Sequence, residues 1–496
     1  MKPAVIRPGF VRRTRLLNKQ ERNERGVTMI IVALAMVAII AMAALSIDVI
    51  TLYLAREEAQ RSADSAALAA AKIISVSGLT GDPSNGTANW GKICGPDDGT
   101  NGLATRTAKA VAGQDAVGGL AATTINVTYS VGSGAGTGDC TTLAGTGFGI
   151  NPIVSVQLSR ASLPSFFSRI WGNTGNSVSA RASAETYNPS NSGGVSGGII
   201  IPVQPRCVKP WVVPNLNPRN PDGCTTACTP FVNLSDGSIQ NSGISLNGFG
   251  TTGVIGENFW LDSDCHGNPP GSCLPRANPP QGNYTGGTAP APPNLLYLPG
   301  QVGPGTPLAI PSSCNGDDYQ NAIVGCDQPA NYYCGFPPAT NPNPTANAVD
   351  LAINPRVGTS NGSQCLIHQS NPTDVGASSG QDSLNPFGAP SSYPFQILAG
   401  SNNPTGLNNT PVSISSSIVS IPIYDQTTAP PFTQNIRSEV TFVGFLQVFI
   451  NAADQLGNVN VTVLNVAGCS NGSGLPVSTT TQVGNSPVPV RLITPP

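Results

Sequence analysis

Charged side chains are scarce in this sequence. Only 10% of the 496 residues are Asp, Glu, Lys or Arg, which is a low fraction for a cytosolic enzyme. The scarcity is uneven, because residues 1–26 carry eight Lys or Arg and two acids, and the rest of the chain carries 16 basic and 24 acidic residues. A basic arm can bind nucleic acid, but this one stands directly before an apolar run, where basic residues are typical of the cytoplasmic flank of a membrane segment. We therefore expect no nucleic-acid partner.

Histidine is nearly absent, since His266 and His368 are the only two. Two matches to the G-x-S-x-G pattern place Ser196 and Ser378 in Gly/Ser-rich stretches. A nucleophile elbow needs a sharp strand-to-helix turn with a His base beside it, and neither match has that context. We expect chance matches and no catalytic residue.

Other sites for metals and cofactors also lack their residue patterns. The only Gly-Lys pair, Gly91-Lys92, is followed by Ile93, so no Walker A loop is present. Two acid pairs, Asp262/Asp264 and Asp317/Asp318, lack the ligand series of a calcium loop and a catalytic partner. Solvated loop acids are the expectation, with structural calcium as the alternative. We expect no metal site, no cofactor and no small-molecule substrate.

One long run is almost free of polar residues. Val27–Ile47 is interrupted only by Thr28 and Ser46, and its 21 residues span about 31 Å as a helix, enough to cross the hydrocarbon core of a bilayer. Ala38 and Ala41 keep one side of this helix narrow, which favours the close approach of another helix in lipid. The alternative is that Ala is merely a common residue of membrane helices.

The helical pattern continues past Asp48, because apolar residues recur at spacings of three and four on one face: Leu52, Ala55, Ala59, Ala63, Ala66, Ala70 and Ile73. A second helix is predicted over 103–111, and a short one over 164–172. Alternating apolar residues predict strands at 123–131, 153–159 and 177–185. The last strand has small inward residues, which suit a helix lying close against the sheet.

All twelve cysteines follow the apolar run. An even number in an exported region favours disulfides, with bound metal or mixed and free thiols as alternatives. Spacing alone does not determine the pairing. From their placement in the same local units we predict the pairs Cys94–Cys140 and Cys314–Cys326.

Composition divides the chain into five regions: a basic cytoplasmic segment (1–26), a transmembrane helix (27–47), a helix with a small α/β unit (48–187), a Pro/Gly/Asn/Cys-rich region (188–410) and a β-rich C-terminal domain (411–496). Strands are predicted at 417–425, 438–451, 458–466 and 488–493, and Pro422 favours an edge position for the first of these. The expected fold class is α+β. A transmembrane helix continues into a long helix packed on a small sheet, then a loop-rich disulfide region and a β-rich domain follow.

The segment "RGVTMIIVALAMVAIIAMAALSIDVITLYLAREEAQRSADSAALAAAK" resembles the N-terminal segment of TadG-like proteins of the Flp (tight adherence) pilus system. The shared features are Gly after a basic run, an Ala/Val/Leu-rich span, Asp48 at its outer end, Tyr53-Leu54, Gln60 and an Ala-Asp-x-Ala-Ala-Leu-Ala run. The segment "IVSVQLSRASLPSFFSRIWGNTGNSVSARASAE" is similar to the strand, Phe-Phe helix and Ala-rich strand that follow in such proteins. The strands near 417–451 resemble their C-terminal strands more weakly.

This sequence departs from the pattern of such proteins at two points. Pilin precursors that are processed at Gly carry Glu five residues later, whereas here processing between Gly26 and Val27 would place Ile31 at that position. Some relatives carry a von Willebrand A module with an Asp-x-Ser-x-Ser metal site, and the nearest approaches here, from Asp82 and Asp236, have the first Ser but carry Gly86 and Gln240 in place of the second. No such module is expected.

The resemblance implies a non-enzymatic component of Flp pilus assembly or anchoring. Its partners would be the membrane and pilin-like subunits or other pilus-assembly proteins. It would cross the bacterial inner membrane once, with a cytoplasmic N-terminus and a periplasmic or extracellular C-terminal region. A surface adhesin or binding protein that uses the loop-rich middle is the alternative, and a secreted hydrolase is a third hypothesis.

The first prediction is that Val27–Ile47 is retained as an anchor. The rival is cleavage by signal peptidase after Ala41-Met42-Ala43, which places small residues where that enzyme needs them. We expect retention because the helical pattern runs through Asp48 without a break. N-terminal sequencing of the mature protein checks this, and a chain beginning at Ala44 would contradict it.

Overall fold

The structure is a computed structural model of the chain. It describes residues 17–83, 88–167, 172, 175–190, 205, 207–220, 228–244, 253–263, 294–300, 312–325, 332, 348–349, 355–370, 379–385, 396–428, 438–455, 457–469 and 486–494. Several residues singled out above lie outside these ranges: Ser196, Asp264, His266, Cys326 and Ser378.

Helices and strands in the described ranges have the following bounds. The helices are α1 (Leu17–Val76), α2 (Ala88–Cys94), α3 (Leu103–Gln114), α4 (Asp318–Val324) and α5 (Pro355–Leu366). The main strands are β1 (Thr124–Ser130), β2 (Ile153–Leu163), β3 (Asn176–Thr186), β4 (Trp211–Pro214), β5 (Asn258–Ser263), β6 (Asn294–Pro299), β7 (Ile418–Tyr424), β8 (Phe442–Ala453), β9 (Val459–Gly468) and β10 (Val490–Ile493). Shorter strands pair Ala116–Val117 with Leu120–Ala121, join Ser383–Asn385, Gln396–Leu398 and Pro411–Val412, and pair Ala348–Val349 with Ser438–Glu439.

Helix α1 runs unbroken through the predicted membrane segment and into the folded body. Its 60 residues extend about 90 Å. Beyond Asp48 one face of α1 is made of fully buried alanines: Ala59, Ala63, Ala66, Ala67, Ala70 and Ala71. The predicted fold, an apolar N-terminal helix that continues into a helix packed on a sheet, is confirmed.

The sheet beneath α1 is antiparallel, in the order β10-β3-β2-β1. On β3 the buried side chains include Ala180, Ala182 and Ala184, so small residues face small residues where helix and sheet meet. The hydroxyl of Thr186 donates to the carbonyl of Ala71 at 3.0 Å. The absence of bulky side chains permits this close approach, as the sequence predicts.

Helix α3 packs beside α1, and α2 caps the same core. The ring of Phe148 lies 5.5 Å from Trp90 and 6.2 Å from Tyr129, both edge-on, an arrangement that aromatic pairs prefer. The predicted bridge between Cys94 and Cys140 is present, with their Cα atoms 5.5 Å apart. It ties α2 to the loop before β2.

Six strands close into a barrel in the order β7-β8-β9-β5-β6-β4. The β5–β6 and β4–β7 pairs are parallel and the others antiparallel. The register places apolar residues on one face, as where Ile421 lies opposite Leu446 and Val461 opposite Phe259. The β-rich C-terminal region is confirmed, but β4, β5 and β6 come from the loop-rich region and complete its barrel.

Three further predictions differ from the structure. Strand β10, expected in the C-terminal domain, pairs with β3 of the first sheet instead. Residues 164–167 and 172, the described part of the predicted Phe-Phe helix, are not helical. Cys314 is bridged to Cys365 in place of Cys326, with their Cα atoms 5.9 Å apart, because α4 and α5 pack side by side and bring these two cysteines together. The division of the body at residues 187 and 410 stays a prediction.

The prediction from Pro422 that β7 lies at the edge of its sheet is wrong. Strand β7 has β8 on one side and β4 on the other. The backbone carbonyls of Ser420 and Tyr424 accept the backbone N–H groups of Lys209 and Asn215. Pro422 lies two residues from each of them along the strand, so its backbone faces the same side. The pairing of β7 with β4 is restricted to residues 423 and 424. It begins after Pro422, so the N–H group that Pro422 lacks is not needed in this pairing.

The end of α1 is fastened to the barrel. Gly78 has φ +71, and a Cβ there would lie 2.4 Å from both Ile255 and the carbonyl oxygen of Leu464. The side-chain amide of Asn465 donates to the carbonyl of Ser75 at 3.0 Å and to the hydroxyl of Thr80 at 3.1 Å. Helix and barrel therefore share one buried junction.

The second prediction concerns the contact between helix and sheet. Ala67→Leu should destabilise the protein by about 1–3 kcal/mol, because a buried, close-packed site cannot accept a larger side chain without shifts of side chains and backbone. Ala69→Leu is the matched control on the same helix, since Ala69 is only half-buried. Chemical unfolding of the detergent-solubilised full chain measures both. Equal midpoints for the two variants would contradict the tight contact.

Candidate functional site

Residues 26–40 of α1 are exposed along their whole length, without protein cover in the described structure. Every Val, Ile, Leu and Met from Val27 to Ile47 is between 47% and 77% exposed. The most apolar 18-residue window of this helix has a mean hydropathy of 2.9 and is 0% buried. A helix of a soluble core would be covered, so this segment can span a membrane, as the sequence predicts.

The body begins to cover α1 near the end of the apolar run. Ala38 is exposed, Ala41 is half-buried, and Ala44 and Asp48 are buried. The side of the helix that carries Ala38 and Ala41 is thus exposed at first and becomes buried against the body further along. Ala38 stays available to another helix, whereas Ala44 lies against the protein itself.

The carboxylate of Asp48 joins the helix to the body. Asp48 is 5% exposed, and its Oδ1 accepts the backbone N–H of Phe166 at 2.9 Å. The N–H of Phe167 reaches Oδ2 at 3.1 Å. Hydrogen bonds to an ionised oxygen are the stronger kind, and an acid next to an apolar run needs such partners, because burying it without them is costly.

A second contact lies about 15 Å further along the helix. The backbone N–H of Gly118 donates to Oε2 of Glu58 at 2.7 Å, at the turn of the short hairpin. Between the two contacts is a cavity of about 270 Å³. Its lining is mainly apolar and includes Leu52, Leu54, Ala55, Leu163 and Phe166.

Residues considered for catalysis or metal binding are not brought together in the described part of the chain. Nδ1 of His368 lies 3.4 Å from the hydroxyl of Ser416. The Asp317 carboxylate accepts the N–H of Gln320 at 2.8 Å and caps α4. Asp262 is buried in β5. No group of three His, Cys, Asp or Glu side chains suited to a metal ion occurs among the described residues.

Lys209 is a buried titratable residue that sequence reasoning missed. It is 3% exposed, and burial lowers the pKa of its ammonium group to about 7. Its Nζ donates to the carbonyl of Gly325 at 2.6 Å, which ties the segment before β4 to the end of α4. A single Lys in a loop-rich stretch carries no sequence signal for this role.

Every cysteine in the described ranges is bridged. Besides the two pairs above, Cys207, Cys228 and Cys469 form disulfides. Disulfides of this kind are typical of proteins that mature in an oxidising compartment.

Comparison with known families finds a match in the N-terminal part of the chain. The family model described as "Putative Flp pilus-assembly TadE/G-like" matches residues 26–72. These residues comprise the exposed apolar segment of α1, both contacts with the body and most of the Ala-rich face. The match confirms, for this segment, the resemblance to TadG-like proteins and indicates involvement in the Flp pilus assembly system. No curated protein and no solved structure matches the chain.

The third prediction concerns Asp48. Asp48→Ala removes the acceptor of two backbone N–H groups, and loss of such a buried partner costs about 1–3 kcal/mol. Amide hydrogen exchange in the peptide that contains Phe166 and Phe167 should become faster. Glu57→Ala, which removes an exposed carboxylate from the same helix, is the control and should leave that exchange unchanged. Unchanged protection in Asp48→Ala would show that the carboxylate does not hold the loop.

Proposed function

We propose that this protein is a non-enzymatic, membrane-anchored component of Flp-type pilus assembly or anchoring. Helix α1 holds it in the membrane, and the sheet and barrel present surfaces to other envelope proteins. The observation that carries the proposal is the coincidence of the family match at residues 26–72 with the uncovered helix and its attachment to the body.

Charge and disulfides support an orientation. The basic residues before Gly26 favour a cytoplasmic N-terminus by the positive-inside rule. The bridged cysteines lie on the other side of the apolar run, where an oxidising periplasm or exterior would maintain them. The protein then crosses the inner membrane once.

The uncovered part of the helix also supports a class of partner. Ala38 is exposed on a helix with no neighbour in the described structure, and small residues allow two helices to approach closely in lipid. Pilin-like subunits carry such helices, so we propose them, or other pilus-assembly proteins, as partners. Gly26 and Val27 would be the processing site of a pilin-like precursor, and Ile31 in place of the usual Glu argues against such processing.

The adhesin alternative has one observation in its favour. An open cleft of about 830 Å³ lies between α4, α5 and the segment before β7. Its described lining contains no Asp, Glu, Lys or Arg. It is rich in amide side chains, which are those of Asn315, Gln320, Asn361, Gln364, Gln369 and Asn402. Such a lining suits a neutral polar ligand rather than a charged one.

The fourth prediction separates these functions. A deletion strain should lose surface pili, and the unmodified gene should restore them. The paired change Ala38→Leu with Ala41→Leu widens one side of the helix and should reduce piliation, because close helix contacts depend on small residues. Ala43→Leu is the control, since at 100° per residue Ala43 lies about 140° from Ala38 and about 160° from Ala41, on the opposite side of the helix.

Variants of the polar residues complete the test. Ser196→Ala, Ser378→Ala and His368→Ala should leave piliation unchanged. Loss of pili in any of them would reopen the enzyme hypothesis. Normal pili in the deletion strain would contradict an assembly role and favour the adhesin.

A further inference from the structure

We propose that the body of the protein rests in the lipid headgroup layer on the outer side of the membrane, through an apolar collar. The collar consists of Val49, Ile50, Tyr53, Leu54 and Phe166. The inference rests on the proposed membrane anchoring and extends it. The anchor would hold the body at a defined depth, in contact with lipid, rather than on a free stalk.

The collar residues are exposed although they lie beyond the predicted membrane segment. Their exposed fractions are 44% for Val49, 57% for Ile50, 65% for Tyr53, 55% for Leu54 and 58% for Phe166. The exposed apolar surface of the helix therefore continues from Val27 to Leu54. Contiguous exposed apolar surface marks an interaction site.

Length identifies the layer that this surface matches. Val27 to Leu54 is 28 residues, or about 42 Å of helix. Bilayer hydrocarbon is about 30 Å thick, and hydrocarbon with both headgroup regions is about 40–45 Å thick. The exposed apolar length therefore matches the whole bilayer, and the collar falls in its outer headgroup region.

Charge marks the same limits. Exposed charged side chains begin on the turn directly after the collar, with Arg56, Glu57 and Glu58. At the other end the basic run stops before Gly26. Asp48 is the only acid between these limits, and it points into the body, where the N–H groups of Phe166 and Phe167 bind it. The exposed surface between the limits thus carries no charge.

The directions of the collar side chains favour lipid over a single protein neighbour. At 100° per residue, Val49, Ile50, Tyr53 and Leu54 spread over about 140° of the helix surface. The buried Asp48 and Ala55 point the other way, into the body. Phe166 adds an exposed ring on the body itself, so apolar groups lie on both sides of the helix near one depth. A second helix would cover one stripe, whereas a lipid layer contacts both sides.

The chemistry of the collar also suits this layer. Aromatic side chains with a polar tip, such as Tyr53, are enriched where hydrocarbon meets water. Aliphatic neighbours then contact the ends of the acyl chains. The occupant is therefore the headgroup region of the same bilayer that α1 crosses.

The test places a nitroxide label at chosen depths in the full-length protein in phosphatidylethanolamine and phosphatidylglycerol vesicles. Leu54→Cys and Phe166→Cys report the collar, and Val37→Cys reports the centre of the anchor. Ile414→Cys is the control. Ile414 is 81% exposed and lies between Val412 and Ile418, which pack with Val76, about 33 Å along α1 from Leu54. The unsubstituted chain, labelled in parallel, measures background thiols.

Collisions of each label with oxygen and with a water-soluble nickel complex give the result. The ratio of oxygen to nickel collisions should be highest at position 37 and several-fold higher at positions 54 and 166 than at position 414. Ratios at 54 and 166 equal to that at 414, with position 37 in lipid, would overturn the collar alone. Labels at 54 and 166 shielded from both reagents would show a protein partner and also overturn it. Exposure of position 37 to nickel would instead contradict the anchoring.

Discussion

The structure depends on the close contact between the Ala-rich face of α1 and the small side chains of β3. One continuous helix has to meet two environments, and a single sequence pattern cannot serve both. Beyond Asp48, alanines on one face and polar residues on the other suit a helix that is buried on one side. Before it, apolar residues on all sides suit a helix surrounded by lipid. The contact that determines the position of the helix in the body is therefore the one with the smallest side chains, where a change in side-chain volume is tolerated least.

Asp48 lies where these two patterns meet. A carboxylate at this depth would be costly without partners, and the backbone N–H groups of Phe166 and Phe167 provide them. The same bonds hold the loop after β2 beside the helix. Since Glu58 makes a similar contact with Gly118, helix and body are linked by two acids about 15 Å apart. Two such contacts resist rotation of the body about the helix axis better than one.

Much of the N-terminal half could be predicted from the sequence, because periodicity is a local signal. The alternation of Val154, Val156 and Leu158 and the spacing of the alanines on α1 depend only on neighbours along the chain. The barrel could not be predicted, because β4, β5 and β6 are short strands in Pro- and Gly-rich sequence and pair with distant partners. The Cys314–Cys365 bridge and the role of Lys209 depend on the packing of α4 and α5, which spacing does not encode. At the site, Asp48 was visible as a shared feature of the resemblance, but its backbone partners were not.

The attachment of α1 to the barrel determines how a movement of the helix can reach the rest of the protein. Asn465 bonds the end of the helix, and Asn188 donates both to Thr80 and to the carbonyl of Val466. Strand β10 returns from the barrel region to the edge of the first sheet. The chain thus joins helix, sheet and barrel through buried polar bonds and through β10, which follows the barrel strand β9 in sequence but pairs in the first sheet. Tilting α1 by a partner in the membrane would have to break buried hydrogen bonds or carry the barrel with it. Because unpaired buried polar groups are costly, movement of the barrel with the helix is favoured over local breakage.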